Sequence, residues 1–220
     1  MHHELRSFAN ADELSRAAAD FVAETAKRCI GEQGTFSFAV SGGRTPLVML
    51  HSLAERDVSW SDVVIYQVDE RIAAPASPER NLTGLVDALT NVQPTIVAMP
   101  VEDADLDDAA ARYEASLPAS VDLVHLGLGP DGHTASLVPN DPVLDVTDRL
   151  VALSGDYQGT RRMTMTYPAL ARADQILWVV SGADKRAALS LLVRGDLSIP
   201  AGRVEAARSL IMADSAATPQ

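Results

Sequence analysis

Cysteine, aromatic residues and basic charge are all scarce in this 220-residue chain, and each scarcity excludes something. The single cysteine, Cys29, rules out an internal disulfide and a cysteine-built metal cage, which makes a reducing, cytoplasmic location the default expectation. Aromatics make up only 5%, so Ala, Val and Leu must build the core. Lys and Arg number 18 against 30 Asp and Glu, a net charge of −12. Such a surface repels nucleic acid and anionic membranes, and no basic cluster offsets it. An anionic small molecule would meet the same repulsion, so a site for one must be locally positive. No apolar run approaches the roughly 20 residues needed to cross a bilayer. The first residues, Met1-His2-His3-Glu4-Leu5-Arg6-Ser7, lack the apolar stretch of a secretory signal, and two histidines are too few for a tag.

What the chain does have is alternation of buried-strand and helix signals. Ala11 to Ile30 carries apolar residues at helical spacing, with Gly31 and Gly34 expected to end the helix. Phe36–Val40 reads as a strand, and Ser41-Gly42-Gly43-Arg44-Thr45-Pro46 turns into a helix over Leu47–Arg56, with Pro46 in its first turn. Val63–Val68 is a second strand; Asp69-Glu70-Arg71 follows it, and Asn81 is placed to cap a helix reaching about Leu89. A short strand near Ile96 and an acidic helix over Asp105–Leu117 come next. Strands are then expected at Val121–Leu128, Leu150–Leu153, Ile176–Val180 and Ser209–Met212, with a helix from Lys185 to Val193.

The strands are continuous apolar runs, the pattern of a parallel sheet covered on both faces. The expectation is an α/β fold: one domain over 1–220, a three-layer αβα sandwich of Rossmann-like type with a mainly parallel sheet. In such folds ligands bind beyond the carboxyl ends of the strands. The polar loops at Ser41, Asp69, Asp131 and Ser181 all follow strands and should converge.

Gly127-Leu128-Gly129-Pro130-Asp131-Gly132-His133-Thr134-Ala135-Ser136 presents one acid and one imidazole where a buried strand ends. A neutral imidazole can take a proton from water at cellular pH, and a carboxylate two residues away can orient it. The plainer reading is a hydrogen-bonded turn. Asp131 and His133 alone give two metal ligands with no third at characteristic spacing, so no metal is expected. Ser41 to Thr45 suits a phosphate at a helix N-terminus, or else a tight turn capped by Thr45. Asp69-Glu70-Arg71 is either a surface ion pair or an anion site in which Arg71 grips two oxygens. Lys185 at a helix start opposes the helix dipole, which an anion would relieve. Ser136 has no base and no nucleophile-elbow pattern around it.

Together Ser41-Gly42-Gly43-Arg44-Thr45-Pro46, Asp69-Glu70-Arg71 with Asn81, Gly127 to Leu137, Arg162-Met163-Thr164-Met165-Thr166 and Gly182-Ala183-Asp184-Lys185 resemble the 6-phosphogluconolactonase family and its relatives, the glucosamine-6-phosphate deaminases. Small departures are Arg80 where serine is usual, and Val138 and Asn140 in place of a common Phe and Gly. The resemblance implies hydrolysis of a phosphosugar lactone without metal or cofactor. His133 would be the general base, and Asp131 would shape its loop and protonation. Arg71 would meet the carbonyl or its oxyanion, and Asp69 would be among the residues that bind the substrate. Ser41, Gly42, Gly43, Arg44, Thr45, Arg162 and Lys185 would hold the substrate and its phosphate. Deaminases share Asp-Gly-His but continue to a glutamate, where this chain has Val138. The alternatives are therefore a deaminase-like isomerase and a non-catalytic phosphosugar-binding module. Oligomeric state stays open between monomer and weak homodimer.

Overall fold

The structure, a computed structural model, describes residues 3–219, so Met1 and His2 of the amino-terminal reading and Gln220 lie outside the described residues. In chain order the elements are β1 (Glu4–Phe8), α1 (Ala11–Gln33), β2 (Phe36–Val40), α2 (Arg44–Ala54), β3 (Val63–Gln67), β4 (Asp69–Arg71), α3 (Asn81–Ala88) and β5 (Thr95–Val97). They continue with α4 (Leu106–Ser116), β6 (Leu123–Leu126), β7 (Val151–Leu153), β8 (Arg162–Met165), α5 (Tyr167–Leu170), β9 (Ile176–Val180), α6 (Arg186–Val193) and β10 (Ser209–Asp214).

Seven strands form one sheet in the order β1-β10-β9-β6-β2-β3-β5, and every pairing in it is parallel. The strand residues divide between two cores with the period of two that the pleat imposes. Ala39, Val124, Leu126, Ile176, Trp178 and Ile211 face the layer containing α4 and α6. Phe38, Val40, Leu123, Leu177, Val179 and Leu210 face α1, α2 and α3. Both parities are apolar because both faces are covered, as expected of an αβα sandwich.

Several local expectations need correction. Gly31 does not end α1: the helix runs on to Gln33, and Gly34 closes it in the left-handed region at φ 82°. Thr45 is not a cap; Gly43 is the N-cap of α2, and no side chain caps that end. Asn81 is the first residue of α3 rather than its cap, and a carboxylate from another strand does the capping, as described below. The strand expected over Val121–Leu128 is confined to Leu123–Leu126, with Val121 making an isolated bridge to Ala173. Leu150–Leu153 does not join the main sheet. Its β7 forms a small antiparallel sheet with β8 and β4, in the order β4-β8-β7. Three polar strand residues cannot announce themselves by hydropathy, so β4 was invisible to the pattern. β1, the exposed edge strand, was missed for the same reason.

His125 sits on central strand β6 between Val40 and Leu177, on the face toward α1 and α2, and is fully buried. Neither ring nitrogen has a hydrogen-bond partner among the described residues. Burial pushes its pKa down to about 3, so the imidazole is neutral in the folded protein. The unfolded chain, titrating near ~6.5, takes up the proton first as pH falls below that value. Stability is therefore intact above pH ~6.5 and is lost progressively down to about 3. Between pH ~7.5 and ~5 the native protein should lose about 2 kcal/mol more than His125→Leu. Urea unfolding at the two pH values checks this; equal losses would mean that His125 gains a partner on acidification.

Candidate active site

The carboxyl ends of β2, β3, β6 and β9 open into one cavity of about 610 Å³. Its wall includes Ser41, Gly42, Gly43, Arg44 and Thr45 from the β2–α2 loop, and Asp69 and Arg71 from β4. His133 comes from the loop after β6, Arg162 from β8, and Lys185 from the segment after β9. All the residues picked out by the sequence reading meet here except Asp131, which stands behind His133 and is not part of the wall. Four of the 18 Lys and Arg residues, namely Arg44, Arg71, Arg162 and Lys185, line this one hollow. The same wall carries three carboxylates, Asp12, Asp69 and Asp184, the last paired with Lys185 at 3.1 Å, so this acidic protein presents a cleft with a small cationic excess.

His133 Nδ1 lies 2.5 Å from Asp131 Oδ1, and the His133 backbone N–H donates to the same oxygen at 3.2 Å. Burial alone would raise the Asp131 carboxyl, but these side-chain and backbone hydrogen bonds outweigh it and hold the group below its usual range. An ionised carboxylate only accepts, so Nδ1 carries the proton, and in the neutral imidazole Nε2 keeps its lone pair. The loop is held by Gly129 N–H donating to the His133 carbonyl at 2.8 Å and Thr134 Oγ1–H donating to the Gly127 carbonyl at 2.8 Å. A Cβ on Gly129 would collide with His133 Nδ1 and with Asp131, so glycine is required for the pair to sit where it does. Asn140, in place of a common Gly, adopts φ 64°, a conformation that asparagine tolerates better than most residues.

Asp69 and Glu70 are buried, which removes the surface ion-pair reading. The fully buried Glu70 carboxylate accepts from Gln67 Nε2 at 2.8 Å and from the Arg71 backbone N–H at 2.7 Å. It also accepts from the backbone N–H groups of Asn81 and Leu82, each at 2.8 Å, and so caps α3 from β4. Arg80 Nε lies 3.5 Å from the same carboxylate, and the Arg80 guanidinium also pairs with Glu102. Arg80, where serine is usual, therefore belongs to a buried charge network.

Asp69 accepts from Ser136 Oγ–H at 2.6 Å and from Asn81 Nδ2–H at 3.2 Å. Burial raises the Asp69 carboxyl, against the opposing pull of Ser136 and Arg162. Ser136 itself is fully buried, so it is no nucleophile.

Arg71 and Arg162 are direct partners across the β4–β8 pairing. Like charges placed opposite one another are destabilising, and an anion between them would relieve this. Burial lowers the pKa of Arg162 against the pull of Asp69, and the neighbouring Arg71 lowers it further. Its Nε is buried with no hydrogen-bond partner among the described residues. Arg71 Nη1 donates to the Glu79 carbonyl at 2.6 Å. On the other side of the cavity, Ser181 Oγ–H donates to Asp214 Oδ2 at 2.5 Å, and Gly182 N–H donates to the same carboxylate at 3.2 Å. These bonds fix the segment that carries Lys185.

Motif reading quotes Glu70 and Asn81 without a role of their own in the site and leaves out Tyr157 and Asp214. Tyr157 had a faint signal, an aromatic residue in a Gln-Gly turn just before Arg162. The roles of Glu70 and Asp214 are set by tertiary neighbours.

An all-parallel doubly covered sheet with a cationic, imidazole-bearing cleft at its strand ends defines the class: an α/β protein built to receive a small anionic molecule. Over residues 9–212 the chain matches the family described as glucosamine-6-phosphate isomerases/6-phosphogluconolactonase, and it belongs to that family. It is 37% identical over 195 residues to the 6-phosphogluconolactonase of Mesorhizobium japonicum, covering 83% of this chain and 82% of that one. The fold is shared with 6-phosphogluconolactonase from Thermotoga maritima, with TM-score 0.88 at 22% identity, covering 97% of this chain and 100% of that one. It is shared almost equally with a monomeric glucosamine-6-phosphate deaminase, with TM-score 0.86 at 18% identity, covering 97% and 98%. Fold alone does not separate the two chemistries; the site must.

Proposed function

We propose that this protein hydrolyses 6-phospho-D-glucono-1,5-lactone to 6-phosphogluconate, with His133 as the base. One observation carries the reading: His133 stands in the cavity wall with Nδ1 committed to Asp131 at 2.5 Å, which leaves Nε2 free to take a proton from water. The water oxygen attacks the lactone carbonyl carbon as Nε2 removes its proton, giving a tetrahedral oxyanion. When that intermediate collapses, the bond from carbonyl carbon to ring oxygen breaks. The ring oxygen leaves as the 5-hydroxyl with the proton that His133 returns. Arg71 and Arg162, opposite one another on β4 and β8 and both in the wall of the same cavity as His133, stabilise the oxyanion. This moves Arg162 from the phosphate, where the family resemblance put it, to the reacting end. Ser41 to Thr45 at the start of α2, with Lys185 opposite, hold the phosphate. Asp69 anchors Asn81 and Ser136 around the cavity.

Val138 is buried where the related deaminases carry a glutamate, and valine cannot move the second proton that their reaction needs. The test offers fresh phosphogluconolactone beside glucosamine 6-phosphate and follows acid and ammonia release separately, with spontaneous lactone hydrolysis subtracted. Acid release alone supports the proposal; ammonia release, or neither product, overturns it. Lys185→Ala should raise KM by roughly 10- to 100-fold, the loss of one charge-assisted hydrogen bond, and leave kcat close to native. A fall confined to kcat would put Lys185 at the reacting centre.

No helix among the described residues is long and apolar enough to cross a membrane. A cytoplasmic site of action is our reading, supported by the lone, buried Cys29. We also read residues 1–220 as one domain, supported by the shared sheet and continuous cores.

A further inference from the structure

Tyr157 has no part in the hydrolytic scheme above, yet its phenol reaches both members of the base pair from outside the His133 loop. It opens a tight turn closed by Tyr157 N–H donating to the Thr160 carbonyl at 3.2 Å and Thr160 N–H donating back at 3.4 Å. The two central residues, Gln158 and Gly159, have φ values of 56° and 81°, the left-handed pair of a type I′ turn. Such a turn permits little freedom, so the tyrosine is presented in a fixed direction.

The phenol O–H donates to Asp131 Oδ2 at 3.2 Å and lies 3.3 Å from His133 Nδ1. The rings of Tyr157 and His133 meet edge to face, with centroids 5.2 Å apart at 64°. Behind the tyrosine, the Arg162 guanidinium carbon lies 5.0 Å from the ring centroid, and Arg162 Nη2 donates to the Tyr157 carbonyl at 3.4 Å. The ring is thus held between a cation and an imidazole.

The two Asp131 oxygens are used differently. Oδ1 receives the imidazole and backbone N–H groups of His133, and Oδ2 receives the phenol. With both oxygens occupied, the carboxylate cannot turn away from the imidazole. We propose that Tyr157 is a positioning residue: its phenol locks Asp131 so that the His133 Nδ1 proton stays bound and Nε2 is held toward the cavity. This rests on His133 being the base. The groups facing the pair are Asp131 itself, the Tyr157 phenol, and Arg162 behind the tyrosine ring. Burial, followed by the charge of Asp131, raises the phenol above its ordinary range, so it remains a donor throughout the working pH.

Tyr157→Phe tests this, because phenylalanine keeps the ring between Arg162 and His133 and removes only the hydroxyl. The expected result is a kcat lowered roughly 3- to 10-fold with KM unchanged. Without the phenol, Asp131 gives more of its charge to the imidazolium, so the acid limb of the kcat profile moves to higher pH. The shift should be roughly half a unit. In an Asp131→Asn background, Tyr157→Phe should cost little more, since the phenol acts through that carboxylate. A Tyr157→Phe pH profile overlaying the native one, or a full additional loss on top of Asp131→Asn, overturns the inference. His133→Ala run alongside separates the two readings. If that variant is inactive while Tyr157→Phe is native, only the role of Tyr157 falls. If His133→Ala keeps turnover, the base assignment falls and this inference with it.

Discussion

His133→Ala lowers kcat by about 10² to 10⁴-fold while substrate still binds, because the phosphate grip lies elsewhere in the cavity. The ring removed is the one whose Nδ1 is tied to Asp131 at 2.5 Å. With it goes both the acceptor for the water proton and the donor to the departing ring oxygen. Arg71, Arg162 and the helix start at Gly43 are left in place, so residual turnover should exceed the uncatalysed rate. The measurement is initial acid release on fresh lactone, corrected for spontaneous opening. A kcat within a factor of ~3 of native would refute His133 as the base. A raised KM with unchanged kcat would instead make it a binding group.

Glu70→Ala should destabilise the fold by about 3–5 kcal/mol, the usual loss when one partner of a buried ion pair is removed. Four N–H donors, from Gln67, Arg71, Asn81 and Leu82, would lose their acceptor at once. Arg80 would keep only Glu102, and α3 would lose its cap. kcat should fall as well, since the same carboxylate anchors the backbone of Arg71, one of the two oxyanion arginines. Urea unfolding gives the first effect and steady-state kinetics the second. Glu70→Gln, which keeps an acceptor oxygen but no charge, should fall between native and Glu70→Ala. A loss below ~1 kcal/mol would show that Arg80 and Glu102 alone secure this corner.

Most of the main sheet was readable because its inner strands carry apolar residues on both faces, a direct result of burial on both sides. The small sheet was not readable. β4 is Asp-Glu-Arg and β8 alternates Met with polar residues, so their pairing is fixed by tertiary contact rather than by hydropathy. Motif reading found the residues that point into the cavity, since glycine loops, Asp-x-His and isolated cations are visible one loop at a time. It could not find what aims them. Glu70 looked like one more surface charge, Asn81 like an ordinary helix cap, and Tyr157 like a turn residue. Their roles come from partners on other elements.

The segment bearing Lys185 is pinned by Asp214, the last residue of β10, which lies far downstream of the His133 loop. During synthesis the ribosome therefore releases the base, the oxyanion arginines and the phosphate loop well before the residue that fixes the final cation. A nascent chain could assemble half a cavity and still lack the completed grip. The full grip on the phosphate accordingly arrives late, after β10 has been added beside β9.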